Sequence, residues 1–342
     1  MTSIQRVLRA IEDIKKGKMV IMVDDEDREN EGDLVYASVF STPKHVNFMA
    51  THARGLICVA IDRSIASRLD LKPMVNSNTS TYETAFTISV DASDAKTGIS
   101  AKERDMAIQV LANPISNQHE LVKPGHIFPL IAKEGGTLVR TGHTEGSVDL
   151  CRLAGLHESA VICEIIKDDG EMARRDDLDI FADKYNLNIV YISDIVEYRL
   201  ANEILVKKIS QEEVLFFGTK VTKYLFMDHD HIEHTAMVFY NVKKTANVRV
   251  HNVIKDIDLL LNQTKYTQLI ESIEYLKQNS GVLIFINKPS QTDNSSIKEF
   301  GIGAQILKLL GVSHINLLTS SKQQDFVGLG GFGLEISNIV EI

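Results

Sequence analysis

A chain of 342 residues exceeds one average domain, so two domains are expected. With 44% hydrophobic and 24% charged residues it has the makeup of an ordinary globular protein, and a formal net charge of -9 excludes nucleic-acid backbone binding as its main task. Cys58, Cys151 and Cys163 are odd in number and widely spaced, which argues against a disulfide framework or a zinc knuckle and fits a reducing, cytoplasmic compartment.

The chain opens with Ile4, Val7, Leu8 and Ile11 interleaved with Arg6, Arg9, Lys15 and Lys16, the spacing of an amphipathic helix capped by Ser3, without a signal-peptide apolar run. No segment is apolar for long enough to span a membrane. Lys18 to Val23 is predicted as a buried strand. It runs straight into the turn Asp24-Asp25-Glu26-Asp27-Arg28-Glu29-Asn30-Glu31-Gly32-Asp33. Carboxylates at the end of a strand offer hard oxygen ligands of the kind Mg2+ takes together with substrate oxygens, although a charge run alone is more often a solvated loop. Further strands are expected over Leu34 to Phe40, Gly55 to Ile61, Thr84 to Asp91, Ala160 to Ile166 and Asn188 to Ile192. Helices are expected after Thr42-Pro43, after the capping-box spacing Ser100-Ala101-Lys102-Glu103 as far as Ala112, and from Asp176 to Tyr185. This alternation predicts an α/β sandwich ending near Leu200.

Three other clusters stand with the acidic turn. Arg140-Thr141-Gly142-His143-Thr144-Glu145-Gly146 precedes a helix-like stretch at Val148, Leu150 and Leu153, so free backbone N–H groups at a helix start would offer a phosphate site, with Arg140 as a bidentate partner. His143 could join carboxylates on a metal, but a lone histidine is more often structural. Pro124-Gly125-His126 reads as a tight loop. Glu164, after Cys163 in an apolar strand, is either paired in the core or raised in pKa for proton transfer.

Taken with Arg54-Gly55-Leu56-Ile57-Cys58-Val59, Thr84-Ala85-Phe86-Thr87, Thr97-Gly98-Ile99-Ser100-Ala101 and Asp169-Gly170-Glu171-Met172-Ala173-Arg174, these segments resemble the 3,4-dihydroxy-2-butanone-4-phosphate synthase family over residues 1–200, in unbroken order. The resemblance implies a three-layer α/β sandwich and a lyase of riboflavin biosynthesis. Such a lyase converts D-ribulose 5-phosphate to the four-carbon product and formate, with Mg2+ or Mn2+, usually as a homodimer. It implies Glu29 and His143 as metal ligands. Arg28, Glu29, Asp33, Arg140, Thr141, Gly142, His143, Thr144 and Glu164 are implied as substrate contacts, and Glu164, His126 and Asp33 as catalytic groups. Cys58 is expected as wall, and Gly32 as a flexible point that lets the acidic turn close over substrate. Gly146 and Ser147 depart from the small apolar residue usual after the Gly-His-Thr-Glu run, and are expected to loosen the helix start.

Residues 201–342 resemble GTP cyclohydrolase II through Arg249-Val250-His251, Gly281-Val282-Leu283, Gly301 to Leu307 and Gly328 to Ile336. That family holds zinc on three cysteines. Here Ile254, Lys265 and Thr267 occupy their positions, and the segment between Lys288 and Glu299 is shortened. A smaller, degenerate α/β domain is therefore expected, with a helix over Tyr266 to Leu276 and a strand over Val282 to Ile286. His229, His231 and His234 with Asp228, Asp230 and Glu233 are expected to be a solvated loop rather than a metal site.

Overall fold

The structure is a computed structural model that describes residues 1–26, 28–203, 206–228, 231–287, 296–319 and 334–342, with the backbone alone for 296–300. Asp27, His229, Asp230, most of the shortened Lys288 to Glu299 segment and Gly328 to Gly333 lie outside the described residues. The chain forms two compact units, Met1–Tyr198 and Arg199–Ile342.

The strands of the first unit are β1 (Val20–Val23), β2 (Gly32–Ala37), β3 (Cys58–Ile61), β4 (Val90–Ala92), β5 (Leu121–Ile131), β6 (Ser159–Glu164) and β7 (Asn188–Tyr191). They form one mixed sheet in the order β4-β5-β3-β6-β2-β1-β7. Its helices are α1 (Ser3–Lys15), α2 (Pro43–Phe48), α3 (Arg63–Arg68), α4 (Ala101–Ala112), α5 (His143–Leu153), α6 (Arg175–Tyr185) and α7 (Ile192–Asn202), the last crossing the unit boundary.

The central strands lack polar alternation because both faces of the sheet are covered. Ile21, Leu34, Tyr36, Val59 and Val161 enter a core that also holds residues of α2, α3, α4 and α6. Their chain neighbours Val20, Val35, Cys58 and Ala160 point the other way, to a core with residues of α1, α5 and α7. The architecture is thus a three-layer sandwich.

Several expected boundaries shift. Thr2, not Ser3, caps α1: its hydroxyl accepts from the Gln5 N–H at 3.3 Å and the Gln5 side chain accepts from the Thr2 N–H at 3.0 Å. Gly55 to Ile57 precede β3. Thr84 to Ser89 give only isolated bridges before β4, because Phe86 and Thr87 pair singly with Leu130 and Pro73. Pro124 to His126 lie within β5, where the β4 register jumps from Val90↔Ile127 to Asp91↔Val122 and leaves those residues as an excursion. Gly32 is a paired strand residue opposite Val23, not a hinge. Gly146 does not loosen α5. A Cβ there would sit 2.6 Å from the Met22 sulfur, so the absent side chain lets the helix lie close on β1.

In the second unit β8 (Val206–Phe216), β9 (Thr219–Asp228), β10 (Glu233–Phe239), β11 (Thr245–Asn252), β12 (Gly281–Ile286), β13 (His314–Thr319) and β14 (Glu335–Glu341) make a sheet ordered β14-β13-β11-β12-β10-β9-β8. Its helices are α8 (Asp256–Leu261), α9 (Gln263–Asn279) and α10 (Ser296–Leu309). Leu269, Ile273 and Leu276 of α9 pack with Leu283 of β12 and Phe239 of β10.

Candidate active site

Strand parity puts Asp33 at the start of β2 and Glu164 at the end of β6 opposite one another in the antiparallel register, on the sheet face that carries α5. α5 begins over the same sheet end, so His143 and Thr144, its first two residues, come to those carboxylates. Gly142 is its N-cap and supplies no side-chain capping bond. The acidic turn closes the third side. A cavity of about 320 Å³ lies between them, lined by Arg28, Glu29, Asp33, His143, Thr144 and Glu164 among others.

Asp24 shapes the turn. Its buried carboxylate accepts from the Glu31 N–H at 2.9 Å, the Glu29 N–H at 3.2 Å and Arg28 Nη1 at 2.7 Å. Arg28 is neutralised further by Glu29 at 3.0 Å, and its guanidinium lies 5.0 Å from the Tyr82 ring. Arg174 donates to the Glu29 carbonyl at 2.6 Å and ties the turn to the N-cap of α6. Asp24 is the functional residue that the sequence reading passed over. Its signal was available as a carboxylate directly after a buried strand, hidden among six acidic neighbours.

Asp24, Glu29 and His143 offer ligand atoms within 4.8 Å of one another, the one such group among the described residues. His143 Nδ1 is 3.6 Å from Glu29 Oε2, and its Nε2 is 3.9 Å from Asp33 Oδ1, both too long for hydrogen bonds. His143 Nε2 and Asp33 Oδ1 are buried without a hydrogen-bond partner. Buried polar atoms are nearly always satisfied, so an imidazole nitrogen and a carboxylate oxygen that face each other unbonded, beside Asp24 and Glu29, fit a divalent cation with hard oxygen ligands and one imidazole. The protons respond to the same crowding. Burial opposes charge on His143, but Asp33, Glu29 and Asp24 outweigh it and hold its pKa up to about 9. Burial, with Glu164 and Glu29 adding to it, pushes the Asp33 carboxyl well above the usual range. Burial would also raise Glu29, but His143 and Arg28 hold it below its ordinary value.

Arg140 is largely committed to the protein. It reaches Glu145 at 2.5 Å, the Tyr82 carbonyl through Nε and Nη2 at 3.1 and 2.8 Å, and the Thr84 hydroxyl at 3.2 Å. Thr141 and Gly142 complete the loop before α5. Glu164 is neither a paired core residue nor isolated: it ends its strand, lines the cavity and accepts from the Leu56 N–H at 2.8 Å. Cys58 lies in the wall, and burial, with Glu164 and Asp33 nearby, raises its thiol well above the ordinary value, which keeps it un-ionised. His126 does not line this cavity. It sits on the β5 excursion with Nδ1 2.9 Å from Asp91 Oδ2, its side chain 42% exposed.

In the second unit, His234 is buried rather than solvated, with Nε2 3.2 Å from Asp228 Oδ2 and Nδ1 accepting from the Asn287 N–H at 3.2 Å. Lys265 and Thr267 lie exposed on α9 and Ile254 follows β11, so no thiolate stands at any of the three positions.

The family model for 3,4-dihydroxy-2-butanone 4-phosphate synthase matches residues 8–198, more than half the chain. The chain belongs to this family. It is a lyase that forms 3,4-dihydroxy-2-butanone 4-phosphate and formate from D-ribulose 5-phosphate in riboflavin biosynthesis, with a divalent metal. A synthase of that name from Sulfurospirillum multivorans is 61% identical over 98% of this chain and 94% of its own length. A riboflavin biosynthesis protein RibBA from Bacillus velezensis is 41% identical over 97% and 92%. A solved two-domain synthase, RibBX from A. baumannii, has a TM-score of 0.82 at 38% identity and covers 98% of both chains. A synthase solved in complex with two magnesium ions covers 58% of this chain and 97% of its own at TM-score 0.56 and 38% identity. A GTP cyclohydrolase II model matches residues 289–341.

Proposed function

We propose that the cavity binds D-ribulose 5-phosphate with its phosphate at the start of α5 and its ketose end toward Asp33 and Glu164. The open N-terminus of α5 favours an anion there, through the first-turn amides and the Thr144 hydroxyl. Arg140, already bonded to Glu145, orients this end and keeps one Nη1–H for the substrate. Arg28 holds the acidic turn in place with Asp24.

Glu29 and His143, joined by Asp24, would hold Mg2+, or Mn2+ in its stead. Such an ion would act as a Lewis acid on the ketone and its neighbouring hydroxyl and make the carbon between them acidic. The remaining work falls to the side chains. Glu164, hydrogen-bonded to the Leu56 amide, takes and returns the carbon-bound proton. Asp33 carries a proton in its buried setting and orients a substrate hydroxyl. Cys58, Phe86 and Leu130 keep the wall apolar around the intermediates. The observation that carries this assignment is the facing pair Asp33 and Glu164, with Asp33 Oδ1 and the neighbouring His143 Nε2 both buried without a hydrogen-bond partner.

His126 lies outside its own cavity, so its catalytic role requires delivery from a second copy, which supports a homodimer. Mixing inactive Glu164→Gln and His126→Gln chains should restore about a quarter of wild-type activity, since half the random dimers then carry one intact site. No recovery in mixed dimers would overturn the shared site. The free, buried cysteines support a reducing cytoplasmic setting. Residues 201–342 act as a non-catalytic structural, assembly or partner-binding module. The match of the GTP cyclohydrolase II model to residues 289–341 favours that activity as well, and the missing thiolates weigh against it.

A further inference from the structure

The β4–β5 edge carries an arrangement that the metal and phosphate sites do not explain. Asp91 Oδ1 accepts from the His126 backbone N–H at 2.8 Å, and Asp91 Oδ2 stands 2.9 Å from His126 Nδ1. Both oxygens of one carboxylate are thus spent on one histidine. The Asp91 side chain is only 10% exposed, and among the described residues it makes no other ion pair. Its position is enforced from behind: Gly98, at φ +78°, lies so close that a Cβ would be 2.0 Å from Oδ2. The excursion has a separate anchor, since the Gly125 N–H donates to the Ser89 hydroxyl at 3.2 Å.

We propose that Asp91 is a positioning residue that fixes the tautomer and ring orientation of His126. The inference rests on the reading of His126 as a catalytic group and assigns it the carrying of a proton. With Asp91 as the acceptor, Nδ1 carries the hydrogen it donates, and Nε2 is left with a lone pair. Nε2 can then take a proton from substrate and give it back. Asp91 accepts the Nδ1–H bond throughout and steadies the imidazolium while it lasts, the division of labour of an aspartate behind a catalytic imidazole. A carboxylate needed only to hold the backbone excursion would have no reason to spend its second oxygen on the ring.

Asp91→Asn separates the two roles. The amide oxygen can still accept from the backbone N–H, but its NH2 faces Nδ1 and turns the ring into the Nε2–H tautomer. The expected result is a loss of about 100-fold in kcat with KM and thermal midpoint near wild type, within the range of one general acid–base group. 15N chemical shifts of His126 should move from Nδ1–H in the wild type to Nε2–H in the variant. Ser89→Ala, which loosens the excursion without touching the ring, should keep wild-type kcat and tautomer. Equal losses in Asp91→Asn and Ser89→Ala, or an unchanged tautomer with unchanged kcat, would overturn the role of Asp91. Full activity in His126→Gln would instead remove the reading it rests on.

Discussion

In Met1–Tyr198 one end of the sheet gathers a crowd of buried ionisable groups close to one another. Asp24, Asp33, His143 and Glu145 are all buried there, with Glu29, Glu31 and Glu164 half-buried around them. Among the described residues of Arg199–Ile342, on a sheet with as many described strands, such groups are kept apart and individually settled. His234 pairs with Asp228. Arg249 donates to the Leu318 carbonyl and, among the described residues, makes no ion pair with a carboxylate. Burial, with Arg249 and Lys265 nearby, depresses His251 to about 4 and leaves it neutral. Folding alone selects against a crowd of like charges in low dielectric, so their concentration in the first unit marks a place where something other than stability is selected. The second unit shows what such a sheet looks like without that demand: patterned core, dispersed polar groups.

The sharpest way to break this contrast is to remove the crowd. Glu29→Gln and His143→Ala should each lower kcat/KM by more than about 100-fold, beyond the usual loss from an outer-shell partner of a metal, with the fold retained by circular dichroism. Removal of divalent ions with EDTA should match either change, and Mg2+ should restore only the wild type. His234→Gln, which strikes an equally buried histidine of the second unit, should leave kcat unchanged while lowering stability. Full turnover of Glu29→Gln in metal-free buffer would remove the metal assignment.

A smaller effect follows from the proton that His143 and Asp33 keep. A histidine whose folded pKa is raised from about 6.5 to about 9 adds stability that is complete below pH 6.5 and is lost as pH climbs to 9. The raised Asp33 carboxyl acts in the same direction, since the folded state again holds the extra proton. A metal must displace that proton from the imidazole. Apparent Mg2+ affinity should therefore rise up to about tenfold per pH unit between 7 and 9 and then level off. Calorimetry in buffers of different ionisation enthalpy counts the protons released. A pH-independent affinity with no proton release would show that His143 is not a ligand.

Much of this site was legible in the chain, because chemistry and position coincided there. The acidic turn follows a strand apolar at every position, and His143 opens a helix marked by Gly142. What escaped depends on partners distant in sequence. Asp24 as organiser of the turn is invisible without its hydrogen bonds. The β5 excursion is set by the slipped register against β4. Thr84 to Ser89 alternate like a strand but have no continuous neighbour to pair with. In the second unit β8 is too exposed for a hydrophobic period to show it.

Gly146 tests the packing side of the comparison on a scale of one or two kcal/mol. A Cβ on Gly146 would press on Met22, fully buried at the centre of β1, and overpacking of this kind costs about 1–3 kcal/mol. Alanine also improves helix propensity by about 1 kcal/mol. The net expectation for Gly146→Ala is a destabilisation of about 1 kcal/mol in urea unfolding, the overpacking cost less the gain in helix propensity. A gain in stability would mean that the glycine only weakens the helix start, as the sequence suggested, and that α5 has room to spare against β1.

The smallest effect should come from removing the second unit. A chain ending at Asn202 keeps α7 whole and retains every residue assigned to the synthase site. The first unit has both faces of its sheet covered by its own helices, and at this length a domain buries enough surface to fold alone. Its kcat and KM should stay within about twofold of the full chain, because domain boundaries fall where few contacts cross. The full chain, in turn, should bind no zinc at Ile254, Lys265 and Thr267 and release no formate from GTP, since none of these side chains can act as a thiolate ligand. A truncated chain that folds but loses turnover would show that the second unit shapes the first unit's site. Stoichiometric zinc with GTP ring opening would show that its dispersed polar groups conceal a second chemistry.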